Sequence, residues 1–459
     1  MPGCKLRLSK ALLPDGWRED VLVSIDAGGI IDSIKADHKS SQGETVAGIA
    51  IPGMANVHSH AHQRAMAGLA EVRGGGEDSF WTWREAMYRF VLRMQPDDLE
   101  AVAGQLYVEA LKAGFTSIGE FQYLHHQPDG RPYAEPAEMS LRCMAAAETA
   151  GIAITILPTF YHFGGFGRQP AQGSQARFIT SVGQYLEIVS RLNREKKRYP
   201  HARLGISPHS LRAITAELLH DILIEYDGMS SEGPIHIHVA EQIKEVEDCV
   251  KFSGKRPVEL LTTMQTLSSR WCLIHATHMS DAETDKLAQS GAIVGLCPTT
   301  EANLGDGIFN GERYLRDSGA IAIGSDSNIS VSVAEELRQL EYSQRLKLHM
   351  RNVLADQRHR STGRRLFDAA ASGGARAIAQ PQGSIAKGLR ADIVVLDADH
   401  PALIGRSGDA ILDSWIFSGG NECVKDVFVG GRHLVKDRKH VHERAITQRY
   451  RETLARLQD

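Results

Sequence analysis

His58-Ser59-His60 stands at the end of the apolar run Ile49-Ala50-Ile51-Pro52-Gly53-Met54-Ala55-Asn56-Val57. In a strand, residues two apart share a face and lie roughly 6–7 Å apart. Two imidazoles so placed can reach one metal ion about 2.0–2.1 Å from each ring nitrogen. Alone, the pair fits ordinary core or surface histidines equally well, in a chain that holds 20 of them. Other apolar runs tip the balance. Ile235-His236-Ile237-His238-Val239 leads to Ala240-Glu241, Cys272-Leu273-Ile274-His275 to Ala276-Thr277-His278, and Ile321-Ala322-Ile323-Gly324 to Ser325-Asp326. Imidazoles and a carboxylate at successive strand ends make an N/O donor set that suits zinc, and an open position for water makes such a site catalytic.

A fold must bring those ends together. Strand-like segments at 50–57, 116–121, 153–159, 203–207, 235–239, 272–275, 293–296 and 321–324 alternate with helical stretches. Asp97-Asp98-Leu99-Glu100 opens a helix that Gly114 can close, and Ser140 opens one that Gly151 can close. Thr215 starts another at 216–226, and Ser280-Asp281-Ala282-Glu283 has the form of a capping box before Gly291. Such alternation predicts an α/β fold, a closed (β/α)₈ TIM-like barrel over residues 51–380. Short strands at 6–8, 21–25 and 30–34, and again at 383–396 and 427–431, predict a small β-sandwich domain built from both chain ends, residues 1–50 and 381–459. No phosphate-cradling glycine motif follows the first strand, which argues against a nucleotide-binding sheet. Two long loops are expected at the barrel mouth: a glycine-rich flap at 73–84 carrying Trp81, Trp83 and Arg84, and a mobile loop at 163–170.

Composition narrows the function classes. The 459 residues are 42% hydrophobic and 24% charged, with a formal net charge of −4, so neither nucleic acid nor an anionic membrane is expected as a partner. No stretch approaches the roughly 20 apolar residues of a membrane span. The opening residues lack the apolar core of a signal peptide. Cys4, Cys143, Cys249, Cys272, Cys297 and Cys423 are widely spaced, which gives no zinc ribbon or disulfide framework and predicts a reducing cytoplasm.

The leading Ile51-Pro52-Gly53-Met54-Ala55-Asn56-Val57-His58-Ser59-His60 and the trailing Gly383-Ser384-Ile385 with Gly388-Leu389-Arg390-Ala391-Asp392-Ile393-Val394-Val395-Leu396 resemble the amidohydrolase superfamily, in particular its aminohydrolase (deaminase) branch. The resemblance spans almost the whole chain. It implies one divalent metal per chain, zinc or alternatively iron, manganese or another divalent ion, held by His58, His60, His238 and Asp326. Glu241 becomes the proton shuttle, and His275 helps to activate water together with Asp326. No lysine on the fourth strand could form a carbamylated bridge, which favours one metal over two. His236 reads as a core or supporting residue, His62 as lying beyond the strand end, and His278 as an exposed turn residue. The resemblance also implies a homodimer.

The substrate is read from the mouth. His58-Ser59-His60-Ala61-His62-Gln63-Arg64, Phe121-Gln122-Tyr123 and Ser207-Pro208-His209-Ser210-Leu211-Arg212 are similar to formimidoylglutamate deiminases. That likeness implies a pocket lined by Gln63, Arg84, Tyr123, His209 and Arg212. Arg84 and Arg212 then grip the carboxylates of a small acidic amidine, since guanidinium binds carboxylate with two parallel prongs. The implied reaction is hydrolysis of N-formimidoyl-L-glutamate to N-formyl-L-glutamate and ammonia, a step of histidine degradation. Two rivals are a ring deaminase acting on guanine or a related heterocycle, with Trp81 and Trp83 stacking on the base, and a catalytically silent barrel.

Overall fold

The apolar run that leads into His58 folds as two strands rather than the single expected one. Glu44–Pro52 belongs to one sheet and Met54–Ser59 to another, with the break at Gly53. A Cβ at Gly53 would lie 2.3 Å from both Thr116 Oγ1 and Cγ2, so only glycine lets the chain turn there. The computed structural model describes residues 3–38, 41–73, 80–229 and 232–458.

Eight parallel strand positions follow: Met54–Ser59, Phe115–Gln122, Ala153–Phe160, a split fourth strand of Ala202–Leu204 and Ser207–Pro208, then Ile235–Val239, Trp271–His275, Ile293–Leu296 and Ala320–Ile323. They form two sheets that isolated bridges join into a ring, Ile206 with Ile235 and Ser210 with His238 on one side and Ser59 with Asp326 on the other. The second seam brings the first and last strands together where the chemistry was expected. Gly324 permits this closeness, because a Cβ there would lie 2.8–2.9 Å from His58 backbone and Cβ atoms. Small and branched side chains fill the barrel interior, among them Ala55, Val57, Ile274, Ile293 and Ala322. The helix Thr362–Ala377 ends beneath them. His236 Nε2 meets the Ala377 carbonyl at 2.7 Å and Thr155 donates to that of Ile378 at 2.6 Å, so His236 is a core residue.

Outside the barrel, Glu44–Pro52 sits between Cys4–Leu13 and Ile393–Leu396 in an eight-stranded sheet drawn from both chain ends. A bridge between Ile30 and Arg390 draws its two halves together, and Leu8, Val23, Val46, Ile393, Val395 and Phe428 form a core of their own inside it.

Helix punctuation follows local chemistry. Ser280 Oγ accepts from the Glu283 amide and the Glu283 carboxylate accepts from the Ser280 amide, opening Asp281–Gln289. Gly151, at φ 81°, closes Glu138–Ala150, a helix that begins two residues before Ser140. The expected flap differs. Residues 80–84 form the first turn of a helix, Phe80–Val91, because Trp83, Met87 and Val91 recur at four-residue spacing and pack inward. Residues 74–79 and the side chain of Trp81 lie outside the described residues. Loop 163–170 is tied across its base by a 2.8 Å bond from the Gly164 amide to the Gln169 carbonyl. Among the described residues no helix is long and apolar enough to cross a membrane.

Candidate active site

His58, His60, His238, His275 and Asp326 meet at the carboxyl ends of the first, fifth, sixth and eighth strands, all buried. His58 Nε2 lies 3.0 Å from His238 Nε2 and 3.4 Å from Asp326 Oδ1, and His60 Nε2 lies 3.3 Å from the same oxygen. The far sides of two rings are fixed by backbone. His60 Nδ1 donates to the Phe121 carbonyl and His238 Nδ1 to the His209 carbonyl, both at 3.0 Å. Those bonds leave the inward Nε2 atoms as bare lone pairs. Burial lowers the His58 pKa to about 3, lowers that of His60, and drives His238 far down, which keeps the rings neutral. Burial works to raise the Asp326 carboxyl. The hydrogen bond with His58 and the surrounding histidines win, and hold it well below the usual carboxylate range.

Facing lone pairs and a buried carboxylate have no reason to converge without a cation. Donors about 2.0–2.1 Å from a tetrahedral ion lie about 3.3–3.4 Å apart, close to the observed spacings. The residues therefore fit a divalent metal, with the imidazole and carboxylate donors that zinc accepts.

Glu241 and His275 complete this floor. His275 Nε2 is 3.8 Å from Asp326 Oδ2 and 3.9 Å from Glu241 Oε1, while its Nδ1 is 3.2 Å from Glu301 Oε1. Burial alone would lower the His275 pKa, but Glu241, Glu301 and Asp326 outweigh it and push it up to about 10. Burial raises the Glu241 carboxyl, against the pull of His275 and Arg212. The backbone is strained at the same places, with φ of 53° at Ala240, 69° at His275, 49° at Ala276 and 44° at Asp326. A non-glycine residue in this region costs about 1–3 kcal/mol, which packing elsewhere must offset.

A pocket opens from the floor. Its walls include Gln63, Arg84, Tyr123, His209 and Arg212, so every sequence-derived substrate contact lies around one cavity with His60, His238, Glu241, His275 and Asp326. His58 lies just below it. Tyr123 Oη accepts from Gln63 Nε2 and meets His62 Nε2, each at 3.0 Å. Arg84 lies over the Tyr88 ring, its guanidinium carbon 5.6 Å from the centroid. Arg212 is held 3.8 Å from Glu245, which also accepts from the Ala240 and Glu241 amides, and the Arg212 Nε has no hydrogen-bond partner among the described residues. His62 sits in a 3₁₀ turn, Ala61–Met66. His278 departs from expectation. It is half-buried rather than exposed, because its Nε2 donates to the Asp306 carbonyl at 2.6 Å.

The sequence reading missed Met87, Tyr88, Tyr161, Phe178 and Leu304 on the walls, Glu301 behind His275, and Glu245 behind Arg212. Tyr88 was within reach, four residues after Arg84 on one helix face. Glu301 had no such signal. It lies five residues past the seventh strand, and only the fold turns it back to His275.

Residues 49–434 match the amidohydrolase family, and residues 9–47 match the N-terminal domain of the formimidoylglutamate deiminase HutF. The formimidoylglutamate deiminase of Pseudomonas aeruginosa is 49% identical over 98% of both chains. A crystal structure of an amidohydrolase from Brucella melitensis superposes with a TM-score of 0.93 at 48% identity, covering 99% of this chain and 100% of that one. An adenosine deaminase from Xanthomonas campestris with bound zinc shares the fold alone, at a TM-score of 0.82 and 20% identity over 99% and 98% of the two chains. With the strand-end donor set, the barrel and these matches in agreement, the chain belongs to the amidohydrolase family.

Proposed function

We propose that the chain hydrolyses N-formimidoyl-L-glutamate to N-formyl-L-glutamate and ammonia. The observation that carries the reading is the cavity itself, with a histidine–carboxylate floor and the two guanidiniums of Arg84 and Arg212 in its walls. A neutral heterocycle has no use for two cations, whereas a substrate with two carboxylates does. The identity to the Pseudomonas deiminase supports the same substrate.

A divalent ion held by His58, His60, His238 and Asp326 supplies Lewis acidity that makes water nucleophilic at neutral pH. We assign zinc to that position. Arg84 and Arg212 fix the carboxylates, and Gln63, Tyr123 and His209 orient the remaining polar groups, so that the formimidoyl carbon rests over the floor. His275, kept protonated by its carboxylate neighbours, donates to the attacking oxygen, and Asp326 accepts the proton that water gives up. Glu241, biased towards its acid form by burial, protonates the terminal nitrogen. The hydroxyl proton of the adduct then passes through Glu241 to the same nitrogen, the bond from carbon to that nitrogen breaks, ammonia leaves, the formyl carbonyl forms, and the bond to the glutamate nitrogen survives. The place in histidine degradation follows from the substrate. The homodimer and the cytoplasmic setting rest on the family resemblance and the cysteine pattern.

The test is ammonia release from N-formimidoyl-L-glutamate and from guanine by the zinc-loaded protein. Turnover of the first alone is expected. Faster turnover of guanine would overturn the reading.

A further inference from the structure

Arg177 is a charged side chain with no exposed surface and, among the described residues, no ion pair. It ends the short 3₁₀ turn Gly173–Arg177, and among the described residues its guanidinium donates only to neutral oxygens. Nε reaches the His126 carbonyl at 2.9 Å, Nη1 the Met94 carbonyl at 3.0 Å and the Val91 carbonyl, and Nη2 the Tyr133 hydroxyl at 3.4 Å. Burial works against this charge and lowers its pKa. A buried cation costs free energy unless hydrogen bonds satisfy it, and here each guanidinium nitrogen has a partner.

Its partners show what that is. Val91 ends the helix Phe80–Val91, so its carbonyl is one that the helix leaves without an internal partner, at the negative end of the macrodipole. Arg84, Tyr88 and Val91 fall at i, i+4 and i+7 on one face of that helix. The Arg177 carbonyl in turn accepts from the His125 and His126 amides, at 3.0 and 3.1 Å, just past the second barrel strand. The next residue, Phe178, is a pocket wall, its ring 5.9 Å from that of Tyr88 and 4.9 Å from that of Tyr123.

We propose that Arg177 is a positioning residue for substrate recognition: it fastens the end of the Phe80–Val91 helix to the barrel and so sets where Arg84 meets the acidic end of the substrate. The proposal rests on the reading of Arg84 as a carboxylate ligand. Arg177 itself touches no substrate. A neutral or shorter side chain lets the helix end shift, and shifts on the scale of 1 Å at a recognition group cost about tenfold to a hundredfold.

The experiment compares wild type, R84A, R177M, R177K and R84A/R177M as full-length, zinc-loaded proteins, each on N-formimidoyl-L-glutamate and on formamidine, which has no carboxylate. R177M is expected to raise KM for the acidic substrate about tenfold with kcat within about threefold, and to leave formamidine kinetics near wild type. In the R84A background it adds nothing, because both changes remove the same contact. R177K, which keeps the charge but not the guanidinium fork, recovers part of the loss. Equal losses on both compounds, or losses that multiply in the double variant, would overturn the proposal. Should R177M not accumulate as folded protein, R177K in the two backgrounds decides: a KM rise only where Arg84 is present supports the proposal, and equal rises sink it. If R84A itself spares the acidic substrate, the reading beneath the proposal fails first, whatever Arg177 does.

Discussion

The floor of the cavity and its outer wall are built differently. His58, His60, His238, His275 and Asp326 stand at strand ends, and the strands that carry them bond to neighbours on both sides. Their rings are braced by the Phe121 and His209 carbonyls and by Glu301. The wall comes from elements attached at their ends: the helix Phe80–Val91 for Arg84 and Tyr88, the segment past the split fourth strand for Arg212, a 3₁₀ turn for Phe178. Chemistry that tolerates little displacement sits on a locked lattice, and recognition sits on parts that can be re-aimed. Damage to the floor should therefore appear in kcat, and damage to the wall in KM.

The sharpest way to break that division is at the metal position. Chelation should abolish turnover, and zinc should restore it, with elemental analysis giving one ion per chain and His238→Ala losing that stoichiometry. Activity that survives chelation would remove the floor from the mechanism. Next in size is Glu241→Gln. Losing the proton carrier should lower kcat by about 10²–10⁴ with KM little moved. A near-normal kcat would show that the nitrogen leaves without Glu241.

The same contrast explains what could be read from the chain. Floor residues were legible because each is a polar residue at the end of an apolar run, and strand periodicity fixes which way it points. His236 and His238 share a face, yet only the latter reaches the mouth, a difference that position along the strand already carried. The wall was half legible. Arg84 and Arg212 could be singled out by charge and by the family resemblance, Arg212 just past a strand end and Arg84 in the expected flap, but Gly74-Gly75-Gly76 drew the reading towards a loop where a helix begins at Phe80. Glu301, Glu245 and Arg177 were invisible, since each acts through a partner distant in sequence or through a carbonyl, which leaves no side-chain signature. The break at Gly53 was hidden as well, because strands in two different sheets read as one apolar run.

Substitutions in the wall sharpen the division further. Arg212→Ala should raise KM for the acidic substrate tenfold or more, since a charge-assisted contact is worth about 1.5–3 kcal/mol. It should also disturb Glu245, which supports the Glu241 amide, so a small fall in kcat belongs with it. Arg84→Ala should give the smaller, purer KM effect, because Arg84 rests on the Tyr88 ring and its helix is anchored independently of it through Trp83, Met87 and Val91. Equal losses on an uncharged amidine would show that neither arginine reads carboxylates.

The smallest expected effect concerns acid stability of the wall's fastening. His125 is buried, its amide bonded to the Arg177 carbonyl and its Nε2 donating to the Thr159 carbonyl at 2.7 Å. Burial lowers its pKa from 6.5 to about 4. The unfolded chain therefore takes up the proton first as pH falls. The stabilising contribution is complete above about pH 6.5 and is lost progressively between there and about pH 4. For one such group the loss reaches about 1 kcal/mol by pH 5.5. Urea unfolding of wild type and His125→Asn at pH 7.5 and 5.5 isolates that contribution, because the floor histidines titrate alike in both proteins. Wild type should lose about 1 kcal/mol more than the variant between the two pH values. An equal loss would mean that the ring is already open to water, and that the wall is less firmly packed around His125 than the floor is around His58.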